Sequence, residues 1–290
     1  MDRRAFINLL TTAGIAAPVA AATAKMIAPK SAATLKAERN IAERILDTRQ
    51  IRCAYINYAP AFMKDPNTGK MSGIFYDLTE KVGELAGFDI KWDVETTFAT
   101  FADDLRYAKY DLYGGGIWPD TKRATIVDFS MPTFYSGLGV YVRADDHRFD
   151  GKVNALNTPD FRIAAIDGEM SQIVQQSDFP KASVLGLPNN TDISMLAESL
   201  IGKKADATII EKAVANLYMK KNPGALRNLT DAKPIRILEN AWAYAYGSDR
   251  LDGIMTAAIK EMLYSGYVEK VLEKYEGVPG SFYRMRAPIE

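Results

Sequence analysis

The sequence predicts an α/β protein of two domains, each built on a mostly parallel sheet flanked by helices. Three observations predict it. Short runs of aromatic and β-branched residues alternate with helix-period runs, the pattern of βαβ units. The alternation occurs as two series, one from Ile51 and one from Phe161. Two extended apolar stretches, 136–143 and 242–246, stand between the series as candidate crossings. A chain of 290 residues is long enough for two domains of ordinary size.

In chain order, residues 1–24 read as an export signal. Arg3 and Arg4 precede an apolar, small-residue run, and Ala22-Thr23-Ala24 fits an A-x-A cleavage site. The paired arginines before x-Phe-Ile resemble a twin-arginine signal, and an ordinary secretory signal with two basic residues fits them too. The run is too short and too rich in Ala, Gly and Thr for a firm membrane anchor. Cleavage near Ala24 puts the mature chain in the periplasm. Residues 25–40 read as a linker entering a helix that carries Ile41, Ile45 and Leu46 to Thr48.

Ile51–Ile56 is the first expected strand, broken at Tyr58-Ala-Pro-Ala-Phe62. Asp77 is the expected cap of a helix carrying Leu78, Val82 and Leu85, stopped by Gly87. A strand over 88–94 and a helix from Thr100 follow, then a short strand over 111–113. The second series runs through strands at 161–166, 182–187 and 206–211, with helices between. Gly168-Glu-Met-Ser171 opens one of those helices, and free N–H groups there suit an anion. Stretches 235–238 and 242–246 are extended, Ser248 caps a long helix, Gly266 breaks it, and the tail beyond Gly277 is irregular.

Charge excludes some functions. Lys plus Arg equals Asp plus Glu at 36 each, and loss of residues 1–24 leaves 34 against 35. Such a balance argues for neither nucleic acid nor an anionic membrane as partner. Cys53 is the single cysteine and His147 the single histidine. Cys53 sits in an expected strand and reads as a buried thiol, and nothing places His147 beside a nucleophile. Metal-ligand spacing is absent and no cofactor is implied.

The richest stretch is 111–136. Gly114, Gly115 and Gly116 close a strand and suggest close approach by a ligand or another backbone. Trp118, a Pro-Asp turn and Arg123 follow. A strand ending in glycines, then an aromatic and an arginine, can make a small-anion site. A Gly-rich loop whose arginine pairs with a surface carboxylate would read the same way. Because ligands in parallel sheets bind beyond the strand C-termini, Tyr58, Phe98, Gly116 and Trp118 fall on one rim.

Six fragments in order resemble the family 3 extracellular solute-binding proteins, the periplasmic amino-acid receptors of ABC importers. They are E-R-I-L-D-T-R-Q-I-R-C-A-Y, Y-A-P-A-F, G-I-F-Y-D-L-T-E-K-V-G-E-L-A-G, K-R-A-T-I-V-D-F-S-M-P-T-F-Y-S-G, K-A-D-A-T-I-I-E and L-Y-S-G-Y-V-E-K-V-L-E-K-Y. The fourth is the most specific. The resemblance covers about 41–276 and implies a type II periplasmic-binding-protein fold with two hinge crossings. Lobe 1 would be 41–138 with 243–278, lobe 2 would be 139–242, and 279–290 a tail.

It also implies roles. Arg123 matches the arginine that holds a ligand carboxylate through its planar fork. Tyr58 and Phe98 match aromatics that pack on the ligand. Gly116 matches a backbone acceptor for the ligand amine. Met170 and Ser171 match a backbone N–H and a hydroxyl that reach the carboxylate. Glu211 matches the acid that pairs with the ammonium. Two residues depart from the pattern. Trp118 stands where a hydroxyl residue is usual and reshapes the cavity, its indole N–H offering one donor. Asp120, near Arg123, competes with an anionic ligand.

The implied function is delivery of a small polar metabolite, amino-acid-like or carboxylate-bearing, to an ABC permease by a monomeric, non-enzymatic receptor. Two alternatives stand beside it. One is an exported accessory protein for a periplasmic oxidoreductase system. The other is a dehydratase-like enzyme with Glu211 or Glu169 as general acid.

Overall fold

The computed structural model describes residues 41–285. The expected export signal and linker over 1–40, and residues 286–290, lie outside the described residues. After a first helix, α1 (residues 41–48), β1 (Gln50–Tyr55) takes the centre of a sheet. It pairs in parallel with β4 (Asp89–Glu95) on one side and β5 (Leu112–Ile117) on the other. A two-stranded ribbon, β2 (Met63–Lys64) and β3 (Met71–Ser72), precedes α2 (Ile74–Ala86), and α3 (Phe101–Arg106) links β4 to β5.

The helix-period residues Ile74, Phe75, Leu78 and Val82 make α2 amphipathic and form its buried face. Its start is Ile74, with Asp77 in the first turn rather than at the cap. Gly87 ends it in a left-handed turn at φ 67°, its N–H bonded to the Gly83 carbonyl. That face joins one core with Leu251, Met255, Ile259 and Met262 of α7 (Asp249–Tyr264), and with Val268, Val271 and Leu272 of α8 (Tyr267–Tyr275). Burying each such side chain is worth about 1.5–3 kcal/mol.

The second series forms another sheet. β8 (Arg162–Ile166) pairs in parallel with β9 (Ser183–Leu187) and β10 (Ala207–Glu211). Helices α4 (Met170–Asp178), α5 (Ser194–Ile201) and α6 (Lys212–Lys221) connect and cover it.

Two long strands join the sheets. β7 (Phe134–Arg143) and β12 (Arg236–Ala245) pair antiparallel over Phe134–Leu138 and Arg236–Asn240. The far half of β7 pairs with β10 and with β11 (Leu226–Asn228). The far half of β12 pairs with β5 and with β6 (Val127–Phe129). The sheet path is therefore β4-β1-β5-β12-β7-β10-β8-β9, curling from one lobe into the other.

Three expectations change. The extended stretches at 235–238 and 242–246 are one strand, β12. The glycines 114–116 lie within β5, which runs on to Ile117. The tail is not irregular throughout: β13 (Phe282–Arg284) pairs with β7 at Phe134–Ser136. Arg284 pairs with Glu276 at 2.7 Å, and Glu276 also accepts from the Phe282 N–H. Three residues are too few to show a strand period, so this pairing is set by its partner.

Candidate functional site

The site lies beside the paired crossing strands. Tyr58, Phe98, Gly116, Trp118 and Glu211 line one small cavity together with Ala61, Ile117 and Asn240. Five of the eight residues singled out in the sequence meet there. The enclosed volume is about 30 Å3. That is room for about two water molecules and is far less than an amino acid needs.

The glycines answer to neighbouring rings. A Cβ on Gly116, at φ +80°, would lie 2.2 Å from the Phe75 ring, and one on Gly114 would lie 2.6 Å from Trp92. Both positions require glycine so that aromatic side chains can approach the backbone of β5.

Trp118 follows β5 but packs with Leu138 of β7 and with Val140, Met170 and Val174 of the second lobe. Its indole Nε1 donates to Asn240 Oδ1 at 3.2 Å. Asn240 Nδ2 donates to Ser136 Oγ at 2.7 Å, and Ser136 Oγ donates to Glu211 Oε1. The relay Trp118–Asn240–Ser136–Glu211 thus runs through both crossing strands. Tyr58 also meets the second lobe, sharing a core with Ile166, Ile210 and Val214. Its ring meets that of Phe98 edge-on at 5.7 Å, and its hydroxyl is buried with no hydrogen-bond partner among the described residues.

Glu211 ends β10 and is 4% exposed. Burial drives its pKa up to about 7, against the lowering pull of the Ser136 hydroxyl; the charge of Glu169 adds to the rise. Glu169 is equally buried. Its carboxylate caps α4, accepting from the Ser171 N–H at 2.6 Å. Burial raises its pKa, and the Ser171 and Met170 donors and the Arg123 charge oppose that rise.

Arg123 opens a 3-10 turn (Arg123–Thr125) outside the cavity wall. Its Nη2 donates to the Gly168 carbonyl at 2.7 Å and to the Phe98 carbonyl at 3.3 Å. Its Nε lies 3.2 Å from Asp120 Oδ2, an ion pair. Burial pulls the guanidinium below its ordinary pKa, and the nearby Asp120 charge pushes it back up. Met170 is 5% exposed and belongs to the Trp118 core. Ser171 Oγ accepts from the Ile166 N–H at 3.1 Å, tying α4 to β8. Arg123, Met170 and Ser171 therefore surround the cavity rather than line it.

The sequence reading missed Ser136 and Asn240. Both sit in strands whose apolar neighbours dominate, and a single polar residue carries no periodic signal. Glu169 was visible only as a possible acid, not as the cap of α4. Among the described residues no group of three His, Cys, Asp or Glu could hold a metal, and no helix is long and apolar enough to cross a membrane.

The family model for bacterial extracellular solute-binding proteins, family 3, matches residues 51–278. An ancestral amino-acid-binding protein, described as a precursor of cyclohexadienyl dehydratase, is similar with a TM-score of 0.71 and 23% identity, over 81% of this chain and 98% of that one. A putative ABC-transporter binding component of Wolinella succinogenes, complexed with lysine, has a TM-score of 0.71 at 18% identity, over 79% of this chain and 97% of that one. The cyclohexadienyl dehydratase of Pseudomonas aeruginosa is 21% identical over 194 residues, 67% of this chain and 70% of that protein. At these identities the likeness to the solved structures shows the fold.

Proposed function

This chain belongs to family 3 of the bacterial extracellular solute-binding proteins, and from that premise we propose that it encloses a small polar metabolite between two lobes and hands it to an ABC importer. The solute carries an ammonium, a carboxylate or both, as an amino acid does. The chain is exported by its first 24 residues, cleaved near Ala24, and works as a monomer in the periplasm. Lobe 1 is 41–138 with 243–278 and lobe 2 is 139–242. Tyr58, Phe98, Gly116, Trp118 and Glu211 meet the solute, with Arg123, Met170 and Ser171 behind them.

One observation carries this reading. Side chains from both lobes converge on a single cavity beside the β7–β12 pair, where two adjacent strands are the natural hinge. Hinge opening would admit a solute that the closed volume does not.

A thermal-shift screen of the mature chain against amino acids, small dicarboxylates and polyamines tests it. A ligand present at a hundred times its Kd adds about 2.7 kcal/mol of stability, a Tm rise of several degrees. Small-angle scattering should show compaction with the same ligand. A chain that none of these compounds stabilises or closes is not a receptor of this kind.

A dehydratase-like reading has one favouring observation, the buried Glu211 with its pKa near 7, suited to a general acid. Turnover of a cyclohexadienyl substrate, lost in Glu211→Gln, would establish it.

A further inference from the structure

The charges around the cavity are unbalanced. Glu211 and Glu169 are both buried, and Asp120 stands beside Arg123. Among the described residues no Lys or Arg pairs with Glu211; its donor is the neutral hydroxyl of Ser136. Arg123 is the cation whose charge acts on Glu169, and two of its three guanidinium nitrogens are already engaged, with Asp120 and with the carbonyls of Gly168 and Phe98. The Ser171 N–H is spent on Glu169, and the Trp118 indole on Asn240. A ligand carboxylate would find most of these donors turned to the protein's own oxygens, with one guanidinium nitrogen of Arg123 left to it. It would also add a negative charge where two buried carboxylates already lie, and in such a place opposite charge is what lowers the energy.

The lining favours the opposite sign. Tyr58, Phe98 and Trp118 present three aromatic rings to the space that Glu211 closes. Aromatic faces attract a cation, and more strongly when water is excluded. The Tyr58 hydroxyl, buried and without a partner among the described residues, can accept from an N–H donor. The inner cavity is small, but Tyr58 and Phe98 also wall an outer chamber of about 470 Å3, whose rim includes Glu95 and Asp192. An ammonium head fits the inner space, and its alkyl chain would reach the outer chamber past Tyr58 and Phe98, the residues both spaces share, once their edge-on contact opens.

Resting on the solute-binding reading above, we infer that the cavity takes the ammonium head of a linear aliphatic amine that carries no carboxylate, held by Glu211 against Tyr58, Phe98 and Trp118.

Lysine and 1,5-diaminopentane differ only by the carboxylate, so calorimetry of the mature chain with both is the test. The diamine should bind at least tenfold more tightly than lysine. In Glu211→Gln, whose side chain is the same size, the diamine should lose at least tenfold. Lysine binding as tightly as the diamine, or unchanged diamine binding in a folded Glu211→Gln, overturns the inference. If glutamate or another amino acid binds and neither amine does, the inference falls and the solute-binding reading stands. If nothing binds and no compound compacts the chain, both fall. The comparison of lysine with the diamine uses the unaltered chain, so it decides even if the variant does not fold.

Discussion

The Arg123 guanidinium donates to the Gly168 carbonyl at 2.7 Å, so a lobe 1 side chain holds the backbone of lobe 2. The same group lies 5.0 Å from the centre of the Phe101 ring and reaches the Phe98 carbonyl. In this position it would act as a latch between the lobes. Arg123→Ala removes the latch and leaves Asp120 and Glu169 without their cation. Losing a hydrogen bond from a charged donor costs about 1.5–3 kcal/mol. The variant should keep its secondary structure by circular dichroism and show a larger radius of gyration by small-angle scattering. An unchanged radius would remove the latch role.

Trp118→Thr should enlarge the cavity and shift affinity toward ordinary amino acids. The indole is 8% exposed and fills the junction of the lobes, so its loss should destabilise by about 3–5 kcal/mol. It also leaves Asn240 Oδ1 without its donor. Thermal shift should report a lower Tm for the free protein and a new rise with one or more α-amino acids. No such rise would count against the ring as the element that restricts the cavity.

Stability should fall with rising pH across neutrality. A glutamate starts from 4.5, and Glu211 is pushed up to about 7 in the folded state. The folded state therefore holds a proton that the unfolded state has released. This contribution is complete below about 4.5 and lost as pH rises through 7, and is on the order of 3 kcal/mol. Glu169, raised in the same direction, adds to it, while Arg123 and Ser136 oppose it. Urea unfolding at pH 5 and pH 8 should show the fall, and Glu211→Gln should remove most of it.

The same ionisation affects the ligand. A cation bound at Glu211 stabilises the charged carboxylate, so binding near pH 7 should release a proton. Calorimetry in buffers of different ionisation enthalpy reads that release directly. Affinity for an amine should drop about tenfold per pH unit well below 7, and a flat profile from pH 5 to 8 would separate Glu211 from the bound charge.

Gly116→Ala should be destabilising for reasons of packing. The added Cβ meets the Phe75 ring at 2.2 Å on a backbone at φ +80°. Strain and overpacking together should cost roughly 2–5 kcal/mol in urea unfolding. A near-neutral effect would show that Phe75 can move aside, and the glycine would then owe its place to the ligand.

Local pattern carried much of this protein. The alternation of strand and helix periods from Ile51 onward, and again from Phe161, determined an α/β fold, because each element is specified by residues within a few positions of one another. The aromatic and glycine residues at the strand ends were legible for the same reason. What only the folded chain decided is the inner chemistry of the cleft. Asn240 reaches Ser136 from 104 residues away, Ser136 reaches Glu211 from 75, and Trp118 reaches Asn240 from 122. Glu169, two residues from Ser171, was close enough to read, but its effect depends on burial beside Arg123 and near Glu211. Whether the site has a donor to spare, and which charge it lacks, are sums over residues that share no period. They exist only once β7 and β12 bring the two lobes together and exclude water between them.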